Sequence, residues 1–258
     1  MKSQDIIISL ESERLGYGKV VLDNPHKINI LAGITVIYGE NGSGKTTLGT
    51  ILEKGRYAYG NRLSFSPSVN RIKMLSFTDI HSLSGMEVQY YVQRMEATMN
   101  DMVPTVSDIM GSKTEAGKWS EYCSTLGLKD VTDKKINYLS SGELRKLLII
   151  NALLDNPDVL ILDNPYIGLD AGSRDEFDTT MKNLRSQNVS IIMLLCDTTD
   201  IPEYTDFLIN IVDKSISPVI SDPEHISIIR NTVPEYHFDI SSIPPSINSK
   251  PLPHNISF

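Results

Sequence analysis

The sequence predicts an α/β fold: a strand-rich core with an antiparallel edge, interrupted by an inserted helical subdomain. Three observations predict it. Short strand-like runs fill the first 38 residues, helical character then dominates from about 81 to 154, and apolar core strands return at 159–163 and 189–195. The first strand is Ile6-Ile7-Ile8, and the run Ile34–Tyr38 is β-branched and aromatic, hence a buried strand. A helix opens at Thr46, directly after a glycine-rich loop. Residues 71–78 give another strand. Met86 to Asn100 contains good helix formers without Gly or Pro, and Pro104–Met110 reads as a loop entering a helix that ends near Gly111. Residues 142–154 are helical by composition, as are Ser173–Ser186, and Tyr204–Val212 holds the last core strand. Seven of the 13 prolines follow residue 217, and residues 240–258 are rich in Ser, Pro and Asn. The expected division is therefore a domain over 1–217 and an extension or linker over 218–258.

The 258 residues suffice for one large domain or two small ones, and 40% hydrophobic content supplies a sizeable core. A net charge of −8 argues against a general nucleic-acid or anionic-membrane surface, though it leaves room for a local basic patch. Cys123 and Cys196 lie far apart, without metal-ligand spacing, and are expected to be reduced thiols of a cytoplasmic protein. The longest apolar runs have strand length, too short to span a bilayer.

The chemistry begins at Gly39-Glu40-Asn41-Gly42-Ser43-Gly44-Lys45-Thr46, the G-x-x-x-x-G-K-T pattern of a phosphate-binding loop between a strand and a helix. Its glycines let backbone N–H groups converge on phosphate oxygens, and the helix start adds a positive dipole end. Lys45 suits β- and γ-phosphates, and Thr46 offers Mg²⁺ a hydroxyl. Gly39, Asn41, Gly42, Ser43, Gly44, Lys45, Thr46 and Thr47 form the candidate cradle. Four apolar residues, Val159–Leu162, end in Asp163, a second candidate for the metal shell.

Leu139-Ser140-Ser141-Gly142-Glu143 precedes the helix at 142–154 and resembles the L-S-G-G-Q signature of ATP-binding cassette (ABC) ATPases. Asn156-Pro157 and Gly168-Leu169-Asp170 also match, the latter resembling the family's D-loop. The resemblance covers roughly residues 5–215 with the motifs in family order, and its details look most like ModF/PhrA-type cassettes, associated by name with molybdenum transport and photorepair. It implies an ABC nucleotide-binding domain, with a P-loop NTPase (RecA-like) core, that binds ATP and Mg²⁺. In that family Ser140 and Gly142 would cap nucleotide bound by a second cassette, in a homodimer or a tandem or heteromeric pair. Tyr17 sits where an aromatic stacks on adenine, or is an ordinary tyrosine. A transmembrane permease subunit is a further candidate partner, placing the protein at the inner face of the membrane.

Three positions depart from the family pattern, and all bear on hydrolysis. Asn164 follows Asp163 where Glu usually polarises water, and an amide is a very poor base. Cys196 stands at the switch-histidine position. Thr78-Asp79 replaces the expected glutamine, and Asp79 is either a water-mediated Mg²⁺ ligand or a solvated loop acid. With Asn164, Asp163 and Lys45 as the catalytic set, slow hydrolysis is expected. The alternative is a hydrolysis-deficient, ATP-gated dimerising module working with a complete second cassette.

Overall fold

A computed structural model describes residues 5–17, 20–55, 63–77, 103–115, 117–128, 130–187 and 189–232. The expected helix at 86–100, the Thr78-Asp79 pair and the far tail from 233 lie outside these residues, as does the side chain of Tyr17.

The apolar and β-branched runs become strands: Ile6–Leu10 (β1), Arg14–Tyr17 (β2), Val20–Asp23 (β3), Asn29–Leu31 (β4), Ile34–Tyr38 (β5), Leu63–Phe65 (β6), Ile72–Ser76 (β7), Val159–Asp163 (β8), Ser190–Leu195 (β9), Phe207–Val212 (β10) and Ser215–Ile216 (β11). The helices are Lys45–Lys54 (α1), Val106–Met110 (α2), Gly117–Thr125 (α3), Ser141–Leu153 (α4), Ala171–Ser186 (α5) and Pro223–Arg230 (α6). Among the described residues β4-β1-β6 form a small antiparallel sheet, and eight strands run β2-β3-β11-β10-β5-β9-β8-β7. From β10 to β7 every pairing is parallel, while β2 and β11 are antiparallel to their hairpin partners.

Because successive side chains of a strand face opposite ways, the parallel strands carry two cores. Val159, Ile161, Ile192, Leu194 and Ile209 pack with Leu48, Ile51 and Leu52 of α1. Leu160, Leu162, Ile191, Met193 and Leu208 pack with Leu147 and Ile150 of α4 and with Phe177, Met181 and Leu184 of α5. All six residues of β9 are buried, as a central strand covered on both faces requires.

Strand register then builds the site. Tyr38 lies beside Leu195, and Leu194 beside Asp163. The chain therefore leaves three neighbouring strands at one edge, delivering the loop from Gly39, Asn164 and Cys196 to the same place. The carboxyl edge of a parallel sheet is where open α/β folds bind ligands.

The expected boundary at 217 cuts through packed structure. Leu208 and Ile220 exchange backbone hydrogen bonds of 2.9 and 2.8 Å, and α6 buries Ile226 in the α4/α5 core. Asp222 caps α6 and Pro223 begins it, a start signal hidden in a stretch that reads as proline-rich linker.

Candidate functional site

The phosphate loop leaves β5 with Gly39, whose N–H donates to the carbonyl of Leu195 at 3.2 Å. A Cβ on Gly39 would lie 2.4 Å from the carbonyl oxygen of Ile211, so only glycine allows the loop this close to β10. Gly44 precedes α1 at φ +107, a conformation L side chains avoid, and gives the helix no side-chain cap. The first N–H groups of α1 are thus left for an exogenous acceptor.

Lys45 is buried, and its Nζ donates to the carbonyls of Gly39 and Glu40 at 2.7 and 2.8 Å. These bonds fold the ammonium back across its own loop. Thr46 Oγ1 donates to Asp163 Oδ2 at 2.7 Å, joining α1 to the end of β8. Asp163 is only 2% exposed, and its Oδ1 has no hydrogen-bond partner. Burial raises the pKa of its carboxyl, while the Thr46 hydrogen bond and the Lys45 charge act the other way. Ser43 Oγ is also buried without a partner. Orphaned buried polar atoms are uncommon enough to require a reason, and a loop shaped for phosphate with a metal beside it supplies one.

These residues fit a nucleotide with Mg²⁺. No cluster of three or more His, Cys, Asp or Glu suited to a metal exists among the described residues. Among the described residues the Thr46 hydroxyl and the Asp163 carboxylate meet beside the loop, which suits an ion that keeps waters and takes ligands from phosphates. Asp79 lies outside the described residues.

Asn164 adopts φ +50, a left-handed conformation that asparagine tolerates better than most residues, and its N–H donates to Leu194 at 3.0 Å. Cys196 Sγ lies 3.0 Å from Asn41 Oδ1 and 3.0 Å from Asn164 Oδ1. The phosphate loop, the end of β8 and the end of β9 therefore meet on one thiol. Beside it opens a hollow of about 790 Å³ bordered by the loop, Cys196, Thr198 and the Asn210–Lys214 hairpin.

Ser140 and Gly142 stand apart from this cluster, at the start of α4. Ser140 caps the helix: its Oγ accepts from Glu143 N at 3.1 Å, and Glu143 Oε2 accepts from Ser140 N at 2.8 Å. Lys134 Nζ holds the same carboxylate at 2.9 Å, and these bonds lower the Glu143 pKa against the burial that raises it. A Cβ on Gly142 would meet nothing closer than Ser140 Oγ at 3.9 Å, so the helix start is open.

Sequence reasoning assigned no role to Arg145. It is 4% exposed, donates from its guanidinium to the carbonyls of Pro165 and Ile167, and stacks 5.1 Å above the Phe77 ring. Burial lowers its pKa to about 10, leaving it charged at neutral pH. It clamps the loop that follows Asn164. In the sequence it is one of a basic pair, Leu144-Arg145-Lys146-Leu147, in the helix after the signature.

The family model described as ABC transporter matches residues 30–167, more than half of the chain. The chain belongs to the ABC transporter ATP-binding family. It is 30% identical to the ABC transporter ATP-binding protein ModF of Escherichia coli over 66% of its own length, but spans only 34% of that protein. An uncharacterised ABC transporter ATP-binding protein of Methanocaldococcus jannaschii is 27% identical over 93% of this chain and 96% of its own. Among solved structures, the ADP conformation of an ATP-binding cassette matches with TM-score 0.62 at 19% identity, covering 86% of this chain and 94% of that one. The fold is that of an ABC cassette, and members of this family generally hydrolyse ATP. No helix among the described residues is long and apolar enough to cross a membrane.

Proposed function

We propose that this cassette binds ATP with Mg²⁺ in the 39–47 loop and hydrolyses it slowly, as the energy-coupling subunit or half-cassette of an ABC system. The observation that carries the reading is the pairing at the end of β8. Asp163 is buried with one oxygen unpartnered, as a metal-organising acid should be, while the next side chain is the amide of Asn164. The N–H groups of residues 42–47 and Lys45 hold phosphate, Thr46 and Asp163 hold the metal, and Tyr17 stacks on adenine. Asn164 positions water without taking its proton. Ser140 and Gly142 cap the nucleotide of a facing cassette. A permease subunit at the inner face of the membrane receives the coupled motion; cbiO1 of Clostridium perfringens, of similar fold, is part of the ABC transporter complex cbiONQ.

A second reading is a cassette that binds ATP to close a pair and leaves turnover to its partner. Asn164 and Cys196 together favour it. Turnover and nucleotide affinity measured on the native chain, Lys45→Ala and Asn164→Glu separate the two. The first reading expects native turnover that Lys45→Ala abolishes and Asn164→Glu raises at least about tenfold, since a missing general base costs about 10²–10⁴. Tight ATP binding with no turnover establishes the second reading. A chain that binds no ATP refutes both.

A further inference from the structure

Cys196 is half-buried where three sequence-distant segments converge, and its thiol faces two amide oxygens, Asn41 Oδ1 and Asn164 Oδ1, both at 3.0 Å. A thiol carries one proton, so Cys196 can donate to either amide oxygen. We propose that Cys196 is a positioning residue that fixes the Asn164 amide with its carbonyl oxygen toward the thiol, withholding from the attacking water the one acceptor this side chain owns. The inference rests on the reading of Asn164 as the water-positioning residue.

The chemistry follows from amide geometry. An amide is planar, with an acceptor edge and a donor edge. With Oδ1 against Sγ, the edge turned away is the NH₂ group. A water there receives hydrogen bonds onto its lone pairs, the electrons it needs for attack, and finds no acceptor for the proton it must shed. The Asn164 backbone is held at φ +50 with its N–H bonded to Leu194, so the amide reorients only about its own side-chain bonds. Asn41 ties the same thiol to the phosphate loop, so the amide orientation is linked to the loop that holds the nucleotide. Cys196 thereby adds to the slowness that Asn164 alone would cause.

The test compares Cys196→Ala, which removes the donor, with Cys196→Ser, which keeps one. In nucleotide-free protein the side-chain amide resonances of Asn164, identified by their loss in Asn164→Ala, should move in Cys196→Ala and stay near the native position in Cys196→Ser. ATP turnover should be about fivefold faster in Cys196→Ala than in Cys196→Ser, the factor for one ordinary hydrogen bond. The Kd for ATP should agree within about twofold between them, which a general loosening of the site would not preserve. Unmoved amide resonances, equal turnover, or no turnover in Cys196→Ala overturns the role of the thiol. Turnover that Asn164→Ala leaves unchanged overturns the water-positioning reading itself and the thiol's role with it. Equal Cys196 variants beside an altered Asn164→Ala overturn the thiol's role alone.

Discussion

At Asp163, folding and binding pull in opposite directions. The carboxylate is buried with one oxygen unpartnered, and burial raises its pKa above the ordinary 3.8 despite Thr46 and Lys45. An acid whose pKa is higher folded than unfolded is penalised in its charged form. Its contribution to stability falls as pH rises from the unfolded value through the folded one, and stays low at pH 7. Asp163→Asn removes the charge and keeps the shape. The nucleotide-free variant should therefore be more stable than the native chain at pH 7, because a neutral amide there buries no charge. That gain should vanish in acid, where the native carboxyl is protonated, while Mg²⁺-dependent ATP binding should be lost at every pH. Denaturant unfolding at pH 7 and pH 3, beside ATP titrations with and without Mg²⁺, checks it. A variant less stable than native at pH 7 contradicts the account.

The loop between β5 and α1 shows why two glycines in one motif are not equivalent. A Cβ at Gly42 would meet nothing, so Gly42→Ala faces only its φ of +81. A Cβ at Gly39 would meet a backbone carbonyl of β10 at 2.4 Å, an atom that cannot swing aside. Gly42→Ala should cost about 1–2 kcal/mol, from the left-handed conformation. Gly39→Ala should cost about 3 kcal/mol or more, from overpacking against fixed backbone. Equal costs in chemical denaturation would show that β10 yields. The same contrast marks what the sequence reveals. The strand–loop–helix order, Asp163 and the core strands are legible because each rests on a local pattern of apolar residues and turn chemistry. So is the cap of α4, since Ser140-Ser141-Gly142-Glu143 is a capping-box pattern, although reading it only as a signature hides the Lys134–Glu143 pair. Arg145 is not legible: a charged helical residue reads as exposed, and only the folded chain brings the carbonyls of Pro165 and Ile167 to it. The meeting of Asn41, Asn164 and Cys196 is equally invisible, since it follows from the registers of β5, β8 and β9.

Across the whole molecule, the segment after β11 decides how far the cassette extends. Composition alone places 218–232 within an extension or linker over 218–258, because prolines are counted without their positions. Placed in order, Asp222 and Pro223 start a helix, Ile226 enters the core, and Ile220 pairs with Leu208. This segment also reaches the site. Thr198 Oγ1 donates to the Thr232 carbonyl at 2.9 Å, and Arg230 lies 3.4 Å from Glu203. The exposed ion pair adds little, since such pairs are worth under about 1 kcal/mol. The buried isoleucine and its surroundings carry the docking, and a buried aliphatic side chain contributes about 2–3 kcal/mol. Ile226→Asp should therefore destabilise the protein by about 3 kcal/mol, lowering Tm by roughly 6–12 °C at 2–4 °C per kcal/mol for a chain of this size. If α6 also steadies the turn that follows Cys196, Thr198→Val should leave Tm within about 3 °C of native and weaken ATP binding, because it cuts the link to residue 232 without opening the core. Calorimetry and ATP titration on the full chain read both variants. An Ile226→Asp protein with native Tm would make 218–232 the linker that its composition suggests, and the cassette would then end at β11.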